Sequence, residues 1–431
     1  MSNSFRTASL AVVLSILIGN FAMTTRAQTY HPVPAQMATP RGGLPHFFAK
    51  LAAGKPVSIA YFGGSITEAN GWRPKTLAWF RQKYPKSTIT EINAAIGGTG
   101  SDLGAFRCRY DVLSHKPDLI FIEFAVNDGG TPPEAIWRQV DGIVRQAKLA
   151  IPDVDICFIY TFVTGFADDL SHGVCPRAAS ADDMLAEYYN LPSINVALKI
   201  AQLHEAGKLI FVPQKDEKGN DLPAPDGVTI FSHDNVHPLD AGHEIYASII
   251  EEALTQMASL PASPDAPLKP PFVRDAWTAA KLVPIEPAML GGAWTKLTST
   301  DPAFGRFTNR LPEIWQTSQP GATLTFRFKG TQVGLYDIVG PDGGEAIVTL
   351  DDRAPVKVLR FDHYCTYHRL QVLQIGSGLP DVVHTVKIEL SNTQPDRTPA
   401  SSQEKGPFDP KKYEGTVLRA GWIMLIGDIV K

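Results

Sequence analysis

From about Pro45 to Met257 the chain alternates short apolar runs with amphipathic stretches, and no other feature constrains its fold as strongly. The runs Val57–Phe62, Thr88–Ala94, Asp118–Ala125 and Val154–Thr161 are rich in Ile, Val and Phe, as expected of strands covered on both faces. Between and after them, Arg73–Tyr84, Asp102–His115, Pro133–Ala150, Asp182–Ala206 and Leu239–Met257 carry apolar residues at the three-to-four spacing of a helix. Pro74 falls in the first turn of the first helix, where its missing N–H costs no hydrogen bond. The alternation predicts an α/β domain with a parallel sheet and helices on both of its faces.

The pattern then changes. Leu260 to Pro287 is rich in proline and reads as a linker packed along the surface. Beyond it come short alternating runs at Thr323–Phe328, Thr331–Val339, Ala346–Leu350, Val356–Phe361, Thr385–Leu390 and Val417–Ile429. Glycine, asparagine and aspartate punctuate them, which predicts an all-β sandwich, with a polar loop over Gln394–Lys412. At the other end, Arg6, the apolar stretch Ala8–Met23 and the small residues around Ala27 have the layout of a secretory signal peptide cleaved before Gln28. Gly19 and Asn20 interrupt that stretch, which is shorter than the roughly 20 apolar residues of a spanning helix. The organisation expected is therefore a signal peptide over 1–27, an α/β domain over 28–258, a linker over 259–287 and a β-sandwich over 288–431. Such a chain is exported to the periplasm or the medium, without stable membrane insertion. A net charge of −4 gives no support for nucleic-acid binding. Cys157 reads as a buried strand residue; Cys108, Cys175 and Cys365 lack metal-ligand spacing, and no bridge is assigned.

Chemistry concentrates at strand ends. Ser65 follows the first strand in a Gly63-Gly64-Ser65 turn, where ligands of open α/β sheets bind. Asn93-Ala-Ala-Ile-Gly-Gly-Thr-Gly100 ends the second strand; its glycines suit backbone amides converging on an anion, or simply a tight strand-to-helix connection. Asn127, after the third strand, offers an amide to a developing oxyanion, while Asn127 and Asp128 equally suit loop capping. Asp234-Asn235-Val236-His237-Pro238 places a carboxylate and an imidazole three apart, so the carboxylate can orient a histidine that activates a serine. His233 and His243 lie nearby, but a metal site normally needs three or four convergent ligands, and none is assigned.

Gly-x-Ser65, Gly98, Asn127 and Asp234-x-x-His237-Pro, in this order and at successive strand ends, resemble the SGNH (GDSL-type) hydrolase family over roughly Val57 to Met257. The resemblance implies a flavodoxin-like three-layer sheet. It also implies Ser65 as nucleophile, His237 as base, Asp234 as its orienting carboxylate, and an oxyanion hole from the Ser65 and Gly98 amides and the Asn127 side chain. No metal or organic cofactor is needed. Two positions depart from the family pattern: Gly64 stands where the aspartate before the nucleophile is usual, and Ala125 where glycine is usual. Neither removes a reacting group; both bear on loop hydrogen bonds and on space for substrate. With export and an appended jelly-roll-like β-domain, the chain is similar to bacterial carbohydrate acetylesterases. The expected substrate is then an acetylated plant cell-wall polysaccharide, either a hemicellulose such as xyloglucan or xylan, or pectin. Trp72, Trp137, Trp294 and Trp315 are candidates for sugar stacking, against the plainer reading of each as core. The alternatives are a short-chain lipid or aryl esterase of the same fold and a non-catalytic carbohydrate-binding protein. The β-domain is expected either to shape the cleft or to brace the hydrolase domain.

Overall fold

The computed structural model describes residues 28–261 and 267–431 apart from 402, 405 and 408; the leader read over 1–27 lies outside them. A short edge strand, β1 (Ala38–Thr39), precedes five parallel strands, β2 (Val57–Gly63), β3 (Ile89–Asn93), β4 (Leu119–Glu123), β5 (Asp155–Tyr160) and β6 (Ser193–Asn195). The sheet runs β1-β6-β5-β4-β2-β3, with β1 antiparallel to β6. The parallel part has the flavodoxin-like order, so the connections reverse between β2 and β4 and open a crevice at the carboxyl ends of those two strands.

Period-two alternation divides the strand residues between two cores. Ala60, Phe62, Ile120, Ile122, Ile156 and Phe158 face one side, and Ile59, Tyr61, Leu119, Phe121, Cys157 and Ile159 face the other. The helices are α1 (Pro45–Ala52), α2 (Ser65–Glu68), α3 (Trp72–Lys83), α4 (Ser101–Asp111), α5 (Pro133–Ala150), α6 (Ala167–Ser171), α7 (Arg177–Tyr189), α8 (Val196–Glu205) and α9 (Asp240–Met257). Phe106 of α4, Val140 of α5 and Leu185 of α7 pack on the first side; Phe47 of α1, Phe80 of α3, Ile200 of α8 and Leu254 of α9 pack on the second. A parallel pair, β7 (Leu209–Ile210) and β8 (Thr229–Ile230), leads toward α9. The single helix expected over Asp182–Ala206 is instead α7, β6 and α8. Asn190 adopts a left-handed conformation (φ 57°) and Pro192 follows, which together end α7 and start the strand.

The C-terminal part is antiparallel throughout its strands: β9 (Ala280–Pro284), β10 (Leu290–Gly291), β11 (Thr295–Lys296), β12 (Trp315–Thr317), β13 (Thr323–Val339), β14 (Glu345–Leu350), β15 (Val356–Leu359), β16 (Arg369–Gly376), β17 (Val382–Leu390), β18 (Leu418–Ala420) and β19 (Trp422–Val430). Ala280–Pro284, within the stretch read as linker, is thus an edge strand paired to β19. The two runs expected at 323–328 and 331–339 are one long strand with an irregularity between Gly330 and Gln332. That irregularity shifts the alternation by one residue. Leu324, Phe326 and Phe328 before it, and Val333 and Leu335 after it, all enter the sandwich core, with Ile388, Leu390, Ile423 and Leu425.

The shift leaves Tyr336 and Ile338 of β13 on the opposite face, where with Met424, Leu311, Ile314 and Phe307 they join the core around α4. Phe106 of α4 meets Trp277 with ring centroids 5.3 Å apart, and Tyr110 meets Trp422 at 5.4 Å. The β-domain therefore braces the α/β domain through a continuous apolar contact. Trp72 and Trp137 are fully buried core residues, and Trp294 and Trp315 pack against the sandwich core. All four cysteines are free and buried.

Candidate active site

Ser65 opens α2 directly after β2, the strand whose end borders the crevice. Its Oγ lies 2.7 Å from His237 Nε2, and His237 Nδ1 lies 2.6 Å from Asp234 Oδ2. The carboxylate fixes the tautomer: Nδ1–H donates to Asp234, leaving Nε2 to accept the serine proton. A serine, a histidine and an aspartate from two loops 172 residues apart thus form one hydrogen-bonded chain. Asp234 and His237 are half exposed, so the site is open to solvent.

The second loop is shaped for this arrangement. Ser232 bridges to Pro238, closing the turn, and Asn235 adopts a left-handed φ of 71° that Asn tolerates better than most residues. Asp234 Oδ1 accepts from the backbone amides of His237 (2.8 Å) and Val236 (3.0 Å) and from the Ser232 hydroxyl (2.9 Å). Burial alone would raise the Asp234 carboxyl. These bonds and the one from His237 outweigh it and hold the group well below the usual carboxylate range. Thr164 ties the turn to the neighbouring loop, its amide and hydroxyl both donating to Asn235.

The candidate oxyanion donors lie on Ser65 itself and on the two neighbouring loops. Among the described residues the amides of Ser65 and Gly98 donate to no protein acceptor. Gly98 has φ 73°, a conformation costly for residues with a Cβ. The preceding Gly97 packs against Ser65: a Cβ there would stand 3.5 Å from Ser65 Cβ. Asn127 likewise makes no side-chain hydrogen bond to the protein among the described residues and lies against Gly64. A Cβ built on Gly64 would fall 1.9 Å from Asn127 Oδ1, so in this conformation the amide occupies the space that a side chain at position 64 would need. Asp128, not Asn127, does the capping: it accepts from Ser101 N at 3.0 Å at the start of α4.

Three further residues, which the local sequence did not mark, hold the loops in place. Glu123, at the end of β4, accepts from Thr67 Oγ1 and Thr161 Oγ1, each at 2.7 Å, and from the Gly64 amide. Burial pushes its carboxyl up to about 7 against the pull of those bonds. A lone carboxylate in the apolar run Leu119–Ala125 was the signal available for it. Arg107 of α4, fully buried, donates to Ala94 O, to Asp111 Oδ2 (2.8 Å) and to Gly63 O (3.3 Å). Arg310, from the β-domain, donates to the carbonyls of Asn93 (3.0 Å) and Ala95 (2.8 Å). The histidines near Asp234 are separately engaged: His233 pairs with Asp221 at 2.9 Å, and His243 accepts from Trp72 N at 3.3 Å at the start of α3. Burial, with the nearby Lys75 charge, lowers His243 to about 4, so it is a neutral helix cap.

Residues 61–245 match the sequence model of the GDSL-like lipase/acylhydrolase family. The matched stretch runs from β2 into α9 and takes in Ser65, Gly98, Asn127, Asp234 and His237. The chain is a carboxylic ester hydrolase. Similarity to solved structures extends beyond the GDSL-type domain. A crystal structure of a two-domain esterase (CEX) active on acetylated mannans, co-crystallized with mannopentaose, has a TM-score of 0.69 at 21% identity, covering 93% of this chain and 99% of that one. A second structure of that esterase gives a TM-score of 0.68 at 21% identity, covering 89% of this chain and 94% of that one. The shared fold thus includes both domains. No curated protein sequence matches the chain.

Proposed function

We propose that the protein is a serine esterase that removes acetyl groups from a plant cell-wall polysaccharide. The observation that carries this reading is the Ser65–His237–Asp234 chain of hydrogen bonds beside two amides that lack acceptors among the described residues. His237 Nε2 takes the Ser65 proton as Oγ bonds to the acetyl carbonyl carbon, and Asp234 stabilises the imidazolium that results. The carbonyl electrons move onto oxygen, where the Ser65 and Gly98 amides and Asn127 stabilise the anion. Collapse of that adduct breaks the ester bond, and the sugar oxygen leaves with the proton from His237. Water, deprotonated by the same histidine, then attacks the acetyl-serine and releases acetate.

Two features favour a polymer as substrate. The histidine and aspartate are half exposed on an open surface, which an extended chain can reach without threading a tunnel. The two-domain arrangement is shared with an esterase active on acetylated mannans. The leader-like sequence over 1–27 supports export to the periplasm or the medium, where such polymers are met. Acetate release from acetylated mannan, xylan, xyloglucan and pectin, set against butyrate release from tributyrin, tests the reading. Release of acetate from at least one of these polymers, lost in Ser65→Ala, is expected. Activity confined to tributyrin and aryl esters would replace the polysaccharide with a lipid or aryl substrate.

A further inference from the structure

The loop from Asn93 to Gly100 is held from two directions. Its amides are anchored by the α/β domain: Ala94 N donates to Tyr61 O, Ile96 N to Gly63 O, and Gly97 N to Glu68 Oε2 (3.0, 3.0 and 2.9 Å). Its carbonyls are held by guanidinium groups. Ala94 O accepts from Arg107 of α4, while Asn93 O and Ala95 O, on either side of it, both accept from Nη2 of Arg310. Three successive carbonyls thus face two arginines, and one of those arginines belongs to the β-domain. Gly98, whose amide has no acceptor among the described residues, lies three residues past Ala95.

Arg310 is itself set on a fixed support. Its amide and that of Leu311 both donate to Phe307 O, at 2.8 and 2.9 Å, and Phe307 and Leu311 are buried in the core that joins the two domains. Asp111 offsets part of the charge, with Oδ2 2.8 Å from Arg107 Nη1 and 4.0 Å from Arg310 Nη1. Arg107 also reaches Gly63 O, so the same cluster holds the turn that carries Ser65.

We infer that Arg310 is a positioning residue for ester hydrolysis: the β-domain supplies the guanidinium that fixes the loop presenting the Gly98 amide. Turnover of even the smallest ester then depends on a domain that touches no reacting atom. This rests on the oxyanion role proposed above for Gly98. Its physical basis is that a donor displaced by about 1 Å from a transition state loses much of its effect, on the order of 10²-fold in rate at the extreme.

The test compares wild type, Arg310→Ala and Arg310→Lys in the full chain, with p-nitrophenyl acetate and active sites titrated by a phosphonate. Arg310→Ala is expected to lower kcat per titrated site by ~10- to 100-fold, with KM within about two-fold, because the hole acts in the transition state. Arg310→Lys, which keeps a donor, should recover part of the loss. A cavity of about 430 Å³ lined by Asn93, Asp111, Asn309 and Arg310 adjoins the guanidinium. Millimolar guanidinium ion, far below denaturing concentrations, should therefore raise kcat of Arg310→Ala and leave wild type unchanged. An Arg310→Ala kcat within two-fold of wild type, or a loss accounted for wholly by fewer titratable sites, overturns the inference. If Arg310→Ala does not fold, Arg310→Lys decides: a lowered kcat at unchanged KM supports the inference, and wild-type kcat overturns it. Ser65→Ala, run alongside, separates the two readings. If it still turns over, the serine mechanism fails; if it is inactive while both Arg310 variants match wild type, only the inference fails.

Discussion

Gly64→Ala adds one methyl group to the turn before Ser65, and its cost can be worked from the geometry. The new Cβ would stand 1.9 Å from Asn127 Oδ1, whereas real Cβ contacts essentially never fall below 3.0 Å. The Asn127 amide or the turn must therefore yield by at least 1.1 Å, the difference between those distances. Displacing an oxyanion donor by that much approaches its removal, which costs about 10²–10³ in kcat, or roughly 2.7–4 kcal/mol of barrier. Steady-state hydrolysis of p-nitrophenyl acetate should show that fall in kcat with little change in KM, while circular dichroism stays native. Asn127→Ala should give a loss of similar size for the same reason. The double variant should lose no more than Asn127→Ala alone, because truncating Asn127 removes the atom that the methyl group would strike. Full additivity of the two losses, or a Gly64→Ala kcat within three-fold of wild type, would refute the reasoning.

Two further outcomes concern stability. A chain ending at Leu260 should be insoluble or aggregate, since it uncovers the α4 face that Leu311, Tyr336, Ile338 and Met424 normally bury; a soluble, fully active fragment, seen by gel filtration and ester assay, would contradict the bracing role. His243 titrates near 4 in the fold against 6.5 when unfolded, so the unfolded chain binds the extra proton in that window and stability falls as pH drops from 6.5 to 4. His243→Asn, which retains an acceptor, should show a shallower decline of Tm over that range; identical slopes would sink the assignment.

How much of this was legible in the sequence depended on how local the determinants are. The strands β2, β4 and β5 were readable because both faces of each are buried, leaving nearly continuous apolar runs. The Asp234–His237 pair was readable because three residues of a single turn set its geometry, and Ser65 because it follows a strand directly. The break between α7 and α8 was written in Asn190-Leu-Pro192 but masked by helical spacing on either side. Strands β10 to β12 have only two or three residues each, too few to show a period, and their pairing is settled by distant partners such as β13 and β18. Gly330 looked like a turn between two strands because the alternation changes phase there, which is also what a bulge does. Arg310 carried no local signal: its acceptors lie more than 200 residues away, so its role exists only once the two domains meet.

The central claim, that Ser65 is the nucleophile of an ester hydrolase, is tested most directly by a p-nitrophenyl alkylphosphonate followed by peptide mass mapping. Attack of Oγ on phosphorus expels p-nitrophenolate and leaves a stable adduct. The account predicts one phosphonyl group per chain, on the peptide containing Ser65, with activity lost in proportion to labelling and no labelling of Ser65→Ala. Labelling at another residue with loss of activity, or full esterase activity in Ser65→Ala, would contradict it.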